Sequence, residues 1–111
     1  LPTYYLSHWV RDRGEFSVEH AIHKLTAEPA ALYGMKGRGS LAPGAFADIN
    51  VINLAGMSLH GPRFVNDFPG GAGRFIQRAN GYAYTFVNGQ MFMRNGEHTG
   101  ALTGTVLRSG D

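Results

Sequence analysis

The sequence predicts an α+β chain, helices first and a small antiparallel sheet after, and three observations carry that prediction. Apolar residues recur at helical spacing between Tyr4 and Leu25, residues Ala47 to Val51 alternate in polarity, and Asn88-Gly89 separates two strand-like runs. The helical segment is expected over 1–35 and the sheet segment over 36–111, with a long loop at 54–81.

The first helix is expected from Tyr4 to Arg13. Tyr5, Leu6, Trp9 and Val10 form its apolar face, Arg11 and Arg13 suit the negative end of the helix dipole, and Gly14 stops it. A second helix takes Ser17 as N-cap and Glu19 in its first turn, and buries Val18, Ala21, Ile22 and Leu25. Pro29 then fits the first position of a short third helix that Gly34 ends in the left-handed region. Two turns follow. At Arg38-Gly39-Ser40 a side chain on Gly39 is expected to clash, and Pro43-Gly44 pairs a fixed φ with a free one. The strand after them puts Ala47, Ile49 and Val51 on one face and Asp48 and Asn50 on the other, while Ile52 implies cover on both sides at its end. Asp48 is expected to satisfy amides of the preceding turn or to face solvent, and Arg38 to tie that turn down.

Leu54 to Gly81 reads as a Gly-rich connection, with a helical turn at Arg74–Ala79 ending on Asn80-Gly81. Loops this long in a small domain are usually functional or disordered. The hairpin beyond it pairs Val87 with Gln90, Phe86 with Met91, Thr85 with Phe92 and Tyr84 with Met93. Its Tyr84, Phe86, Met91 and Met93 face is expected to be buried, as core rather than as a cofactor box. Asn95 to Arg108 reads as an extended tail.

With 111 residues, 43% of them apolar and 16% charged, the chain can build one modest core and is not disordered by composition. A formal charge of +2 with scattered Lys and Arg supplies no basic stripe, so nucleic acid is not an expected partner. The absence of cysteine excludes disulfides and thiolate metal sites. No apolar run reaches membrane-spanning length, and no membrane partner is expected. The opening Leu1-Pro2 reads as the start of a piece of a longer protein, in which a targeting segment would be out of sight; a cytoplasmic location is the working expectation.

Chemistry is sparse. Of the histidines His8, His20, His23, His60 and His98, no two are separated by a single residue, and His20 and His23 fall off the apolar stripe. No catalytic or metal-ligating residue is assigned, and no cofactor is expected to be bound by the chain itself. The polar residues of the long loop, His60, Arg63, Asn66 and Asp67, are the candidates for a substrate-facing loop.

Thr26, Pro29, Ala30, Gly34, Arg38, Gly39, Leu41, Gly44, Ala47 and Asp48 together resemble the helix–turn–strand passage near the C-terminus of amidohydrolase-superfamily enzymes. The run His8-Trp9-Val10-Arg11-Asp12-Arg13 and the ending Gly96-Glu97, Thr99-Gly100-Ala101 and Leu107-Arg108 resemble the D-aminoacylase branch, which deacylates N-acyl-D-amino acids. That resemblance implies that the helices close a metal-dependent (β/α)8 barrel and that the strands belong to a β-sandwich. It further implies that zinc is held elsewhere in the intact enzyme, that the main partner is the rest of the parent chain, and that this segment is structural and non-catalytic. Two alternatives stand beside it: a segment of a cyclic-amide hydrolase of the hydantoinase or dihydroorotase kind, and a stand-alone β-rich interaction or oligomerisation module. Unpaired strand edges predict either self-association or collapse of the helices onto the sheet, with Trp9, Ile22 or Leu25 against Tyr84, Phe86 or Met91.

Overall fold

Pro2 opens the first helix, where its missing N–H costs nothing. In the computed structural model, which describes residues 1–108, helix α1 (Pro2–Tyr4) runs directly into a π-helical segment, Tyr5–Asp12. The expected plain helix is thus corrected: the Arg13 N–H donates to the His8 carbonyl five residues back at 2.8 Å. This wider winding advances each residue by a smaller angle. It turns Leu6, Ser7 and Val10 inward and leaves Trp9 38% exposed, off the face it was expected to share.

Helix α2 (Val18–Leu25) starts as expected, with the Ser17 hydroxyl accepting from the His20 N–H at 3.2 Å. Ala21 is fully buried and Ile22 and Leu25 partly so, but Val18 is 37% exposed. Helix α3 (Ala27–Leu32) begins two residues before Pro29, which occupies its third position. The shift is free because the third N–H of a helix lacks an intrahelical acceptor anyway. Gly39 then crosses the start of α3 so closely that an added Cβ would lie 2.7 Å from both the Thr26 carbonyl oxygen and the Ala30 Cβ. The clash expected there is real. At the next turn the Ala45 N–H donates to the Ala42 carbonyl at 3.1 Å, and Gly44 takes φ 84°, as a type II turn on Pro43-Gly44 requires.

The strands are β1 (Ile49–Ile52), β2 (Ser58–Leu59), β3 (Arg63–Val65), β4 (Arg74–Ile76), β5 (Ala79–Asn80), β6 (Tyr82–Val87), β7 (Gln90–Arg94) and β8 (Glu97–His98). Four of them form an antiparallel sheet in the order β1-β6-β7-β8. Asn88 and Gly89 take φ of 51° and 76°, the type I′ geometry, and pair Val87 with Gln90 and Phe86 with Met91 as expected. Beyond that the register slips by one: Thr85 faces Met93 and Tyr84 faces Arg94. The cause lies in the tail, where the Thr99 N–H donates to the Phe92 carbonyl at 3.0 Å and its hydroxyl to that of Met91 at 2.6 Å. These bonds draw Phe92 out of the ladder as a bulge. Neither face of the hairpin is then buried; every residue of β6 is half-exposed. A second bulge, between Val51 and Ile52, turns Ile52 inward and leaves Val51 43% exposed, so the alternation fails at that residue.

The loop expected at 54–81 is a two-stranded arm. β2 pairs with β5 and β3 with β4, so Arg74–Ile76 is a strand where a helical turn was expected. Only a short 3-10 turn, Pro69–Gly71, is helical, at the tip. The arm contributes to a radius of gyration of 15.9 Å, against about 13 Å for a globule of this length.

The core joins helices to the root of this arm. Leu6, Val10, Ala21 and Met57 are buried together, flanked by Tyr5, Ile22, Leu25, Ile52, Leu54 and Tyr82. The helices therefore meet Met57, Ile52 and Tyr82 rather than Tyr84, Phe86 or Met91. Gly81 makes room: at φ 102° its backbone lies where a Cβ would be 2.7 Å from the Met57 Cα. Thr3 and Tyr82 share a hydroxyl hydrogen bond of 2.7 Å, and the Arg11 guanidinium donates to the Leu54 carbonyl at 3.0 Å and to that of Met57 at 2.5 Å. Between helices and β1 a cavity of about 530 Å³ remains, lined by Leu6, Ile22, Leu25, Phe46, Ile49 and Tyr82 among others. Among the described residues no helix is long and apolar enough to cross a membrane.

Candidate functional site

Two pairings of the arm are out of step. Leu59 faces Ala79 and Arg63 faces Ile76, so three residues, His60-Gly61-Pro62, oppose only two, Gln77-Arg78. Pro62 cannot donate to a ladder and Gly61 bends freely, which explains why the bulge falls there. It opens a cleft of about 270 Å³ lined by His60, Gly61, Arg63, Ile76 and Arg78. The His60 N–H donates to the Arg78 carbonyl at 2.9 Å, the Gln77 amide donates to the His60 carbonyl at 3.0 Å, and the His60 Nε2 lies 3.0 Å from the Asn80 Oδ1.

Of the loop residues singled out in the sequence, His60 and Arg63 come together in this cleft. Asn66 and Asp67 do not join them and serve the tip instead. The Asn66 amide donates to the Gly71 carbonyl at 2.9 Å. Asp67 accepts two bonds from the Arg74 fork, at 2.8 and 2.7 Å, and that guanidinium also sits 5.2 Å from the Phe68 ring. The hydrogen bonds from Arg74 hold the Asp67 carboxyl below its usual range and raise Arg74 above its own. Arg78 and Arg74 escaped the sequence reading. The run Arg74-Phe75-Ile76-Gln77-Arg78 does not alternate in polarity, so no strand signal marks them in the sequence.

Asp48 does not take up the backbone amides of the turn before it, as was one expectation. Its carboxylate pairs with Arg38 and accepts from the Asn88 N–H at 2.9 Å, so it fastens the double turn to the hairpin tip. Arg38 also lies 4.1 Å from the Phe46 ring, which is how it ties its turn down. His20 stacks on Phe16, and His98 meets Phe92 edge-on while its Nδ1 accepts from the Gly100 N–H. Among the described residues no three His, Cys, Asp or Glu side chains converge in a way that could hold a metal ion. The side chains of the described residues therefore do not by themselves supply a donor set for a catalytic metal.

The helix–turn–strand joint and the sheet behind it define a class: the chain belongs to the Amidohydrolase family, whose model matches residues 2–92. Its relatives are specific. It is 34% identical to a D-aminoacylase of Alcaligenes xylosoxydans xylosoxydans over 92% of its own length and 19% of that enzyme's. It is 37% identical to an N-acyl-D-aspartate deacylase of the same organism, again over 92% of the chain and 19% of the relative. A solved D-aminoacylase variant in complex with CuCl2 superposes with a TM-score of 0.76 at 30% identity, covering 96% of this chain and 20% of that one. A D-aminoacylase structure concerned with its binuclear metal centre superposes at 0.71 and 29% identity, covering 90% and 19%. The chain thus spans about a fifth of the length of the relatives it matches.

Proposed function

We propose that this chain is the C-terminal segment of a metal-dependent amidohydrolase that cleaves the amide bond of N-acyl-D-amino acids, and that the segment itself is structural. The observation that carries this reading is the likeness to D-aminoacylases, in sequence and in fold, across nine-tenths of the chain or more. In the intact enzyme the helices close a (β/α)8 barrel, the four-stranded sheet belongs to a β-sandwich, and zinc is held by the barrel. A zinc ion bound there would supply a water of lowered pKa for hydrolysis of the amide. The arm serves as a substrate-facing loop, with His60 and Arg63 in its cleft and Asp67 clamping its tip.

The open cavity and the exposed Trp9, Leu41, Phe46 and Val51 support the proposal that the remainder of the parent is the natural partner. Without it the chain pairs with a second copy, so light scattering over a concentration series should show a rising mass; a constant monomer mass would refute self-association. The test of the functional reading has two arms. The purified 111-residue chain with added zinc should not deacylate an N-acyl-D-amino acid, whereas the parent enzyme should. Zinc-dependent turnover by the chain alone would refute the structural role, and an inactive parent would refute the substrate class.

A further inference from the structure

Six arginines of this chain lie in the helices, the joint or the arm, and four of them are spoken for. Arg11 pairs with Asp12, Arg13 with Glu15, Arg38 with Asp48 and Arg74 with Asp67. Arg63 and Arg78 have no carboxylate partner among the described residues, yet the bulge at His60-Gly61-Pro62 brings both into the lining of one cleft, together with His60. No acidic side chain lines that cleft. An anion entering the cleft would therefore meet two uncompensated cationic residues and no acid.

We propose that the bulged cleft of the arm binds a small oxyanion, a carboxylate or a phosphate group. The floor is already built. Backbone and side-chain bonds from Arg78, Gln77 and Asn80 fix His60 from three directions, so little ordering remains to be done when a ligand enters. The planar forks of Arg63 and Arg78 match the oxygen spacing of both anions. Asp67 takes no part, because Arg74 already occupies its carboxylate. The proposal goes beyond the functional reading above and stands whether or not the parent acts on acyl amino acids.

The experiment is a titration of the 15N-labelled 111-residue chain with inorganic phosphate, with acetate and with chloride, at constant ionic strength. The amides of His60, Gly61 and Arg78 should shift saturably with phosphate or acetate and not with chloride. The tighter of the two identifies the ligand as phosphorylated or carboxylic. R63Q/R78Q should weaken binding at least about tenfold, the single variant R63Q should fall between, and R94Q should bind as the unaltered chain does. Unchanged amide shifts at Phe64 and Phe75 establish that the arm is intact in each variant. Shifts that stay linear, that chloride reproduces, or that persist at full affinity in R63Q/R78Q would overturn the proposal.

Discussion

At the joint, Arg38 and Asp48 are ten residues apart, and Asp48 reaches on to Asn88, forty residues further. On the arm, Arg74 and Asp67 are seven apart and the clamp goes no further. The two pairs use the same chemistry for different ends. The joint's pair is shielded, with the Arg38 side chain 16% exposed, and it fixes the order in which helix, turn and hairpin meet. The arm's pair is open to water and only shapes a tip, where Phe64 and Phe75 touch edge to face at 5.3 Å while both remain largely exposed. Long-range ties hold a fold together; short-range ties leave an element self-contained and free to present side chains. That contrast makes the arm the place to look for recognition, and it can be broken at defined points.

The largest effect should come from the core that roots the arm. Met57 is 1% exposed and touches the helical cluster, so Met57→Ala should destabilise by about 2–5 kcal/mol in urea denaturation. Phe75→Ala, at a residue 73% exposed, should change stability by no more than about 0.5 kcal/mol. Equal effects would mean that the arm is as much a part of the core as its root.

A smaller effect tests the joint. Asp48→Ala removes the acceptor of the Asn88 N–H and the partner of Arg38, and should cost about 1 kcal/mol once solvent screening at a third-exposed carboxylate is allowed for. Amide exchange should speed up at Asn88 and Gly89 and stay unchanged at Phe64 and Val65. Faster exchange on the arm as well would show that the two regions are coupled.

Much of the joint was legible because its signals are local and chemically strict. Gly39 beside Arg38, Pro43-Gly44, the Ser17 cap and Asn88-Gly89 each allow few geometries, and each took the expected one. The hairpin register was not legible past Phe86, since its bulge depends on Thr99, which lies outside the hairpin and binds the Met91 and Phe92 carbonyls. Asn95-Gly96, at φ 49° and 81°, turns the chain into β8 through the same dipeptide signal as Asn88-Gly89, so the expected extended tail starts with a second hairpin instead. On the arm, short strands interrupted by Gly and Pro carry too few alternating residues to stand out, so its cleft was half seen: His60 and Arg63 were found, Arg78 was not. Met57 gave no signal at all, because its burial depends on Gly81, twenty-four positions on.

The smallest effect is acid loosening of the arm's tip. Asp67 has its folded pKa lowered by the hydrogen bonds from Arg74, so its ionised form favours the folded arm. That contribution is fully present above the unfolded carboxylate value near about 3.9 and fades as pH falls through the lower folded value. Between pH 7 and 5 the exchange of the Phe68 amide, which donates to the Ala72 carbonyl at the tip, should therefore be constant apart from its intrinsic pH dependence. Its protection should drop only below the ordinary carboxylate range. Asp12 is lowered in the same way by its hydrogen bond from Arg11, so acid also reaches the helical end of the molecule. Asp67→Asn separates the two: it should loosen the tip already at pH 7 while leaving the acid response near Asp12 in place. Since both Asp67 and Arg74 face solvent, added salt should weaken the wild-type effect and leave the variant unmoved. Loss of tip protection in the wild type at pH 5 would contradict a lowered Asp67, and an unaltered tip in Asp67→Asn would mean that the aromatic contacts of Phe64, Phe68 and Phe75 hold it without the ion pair.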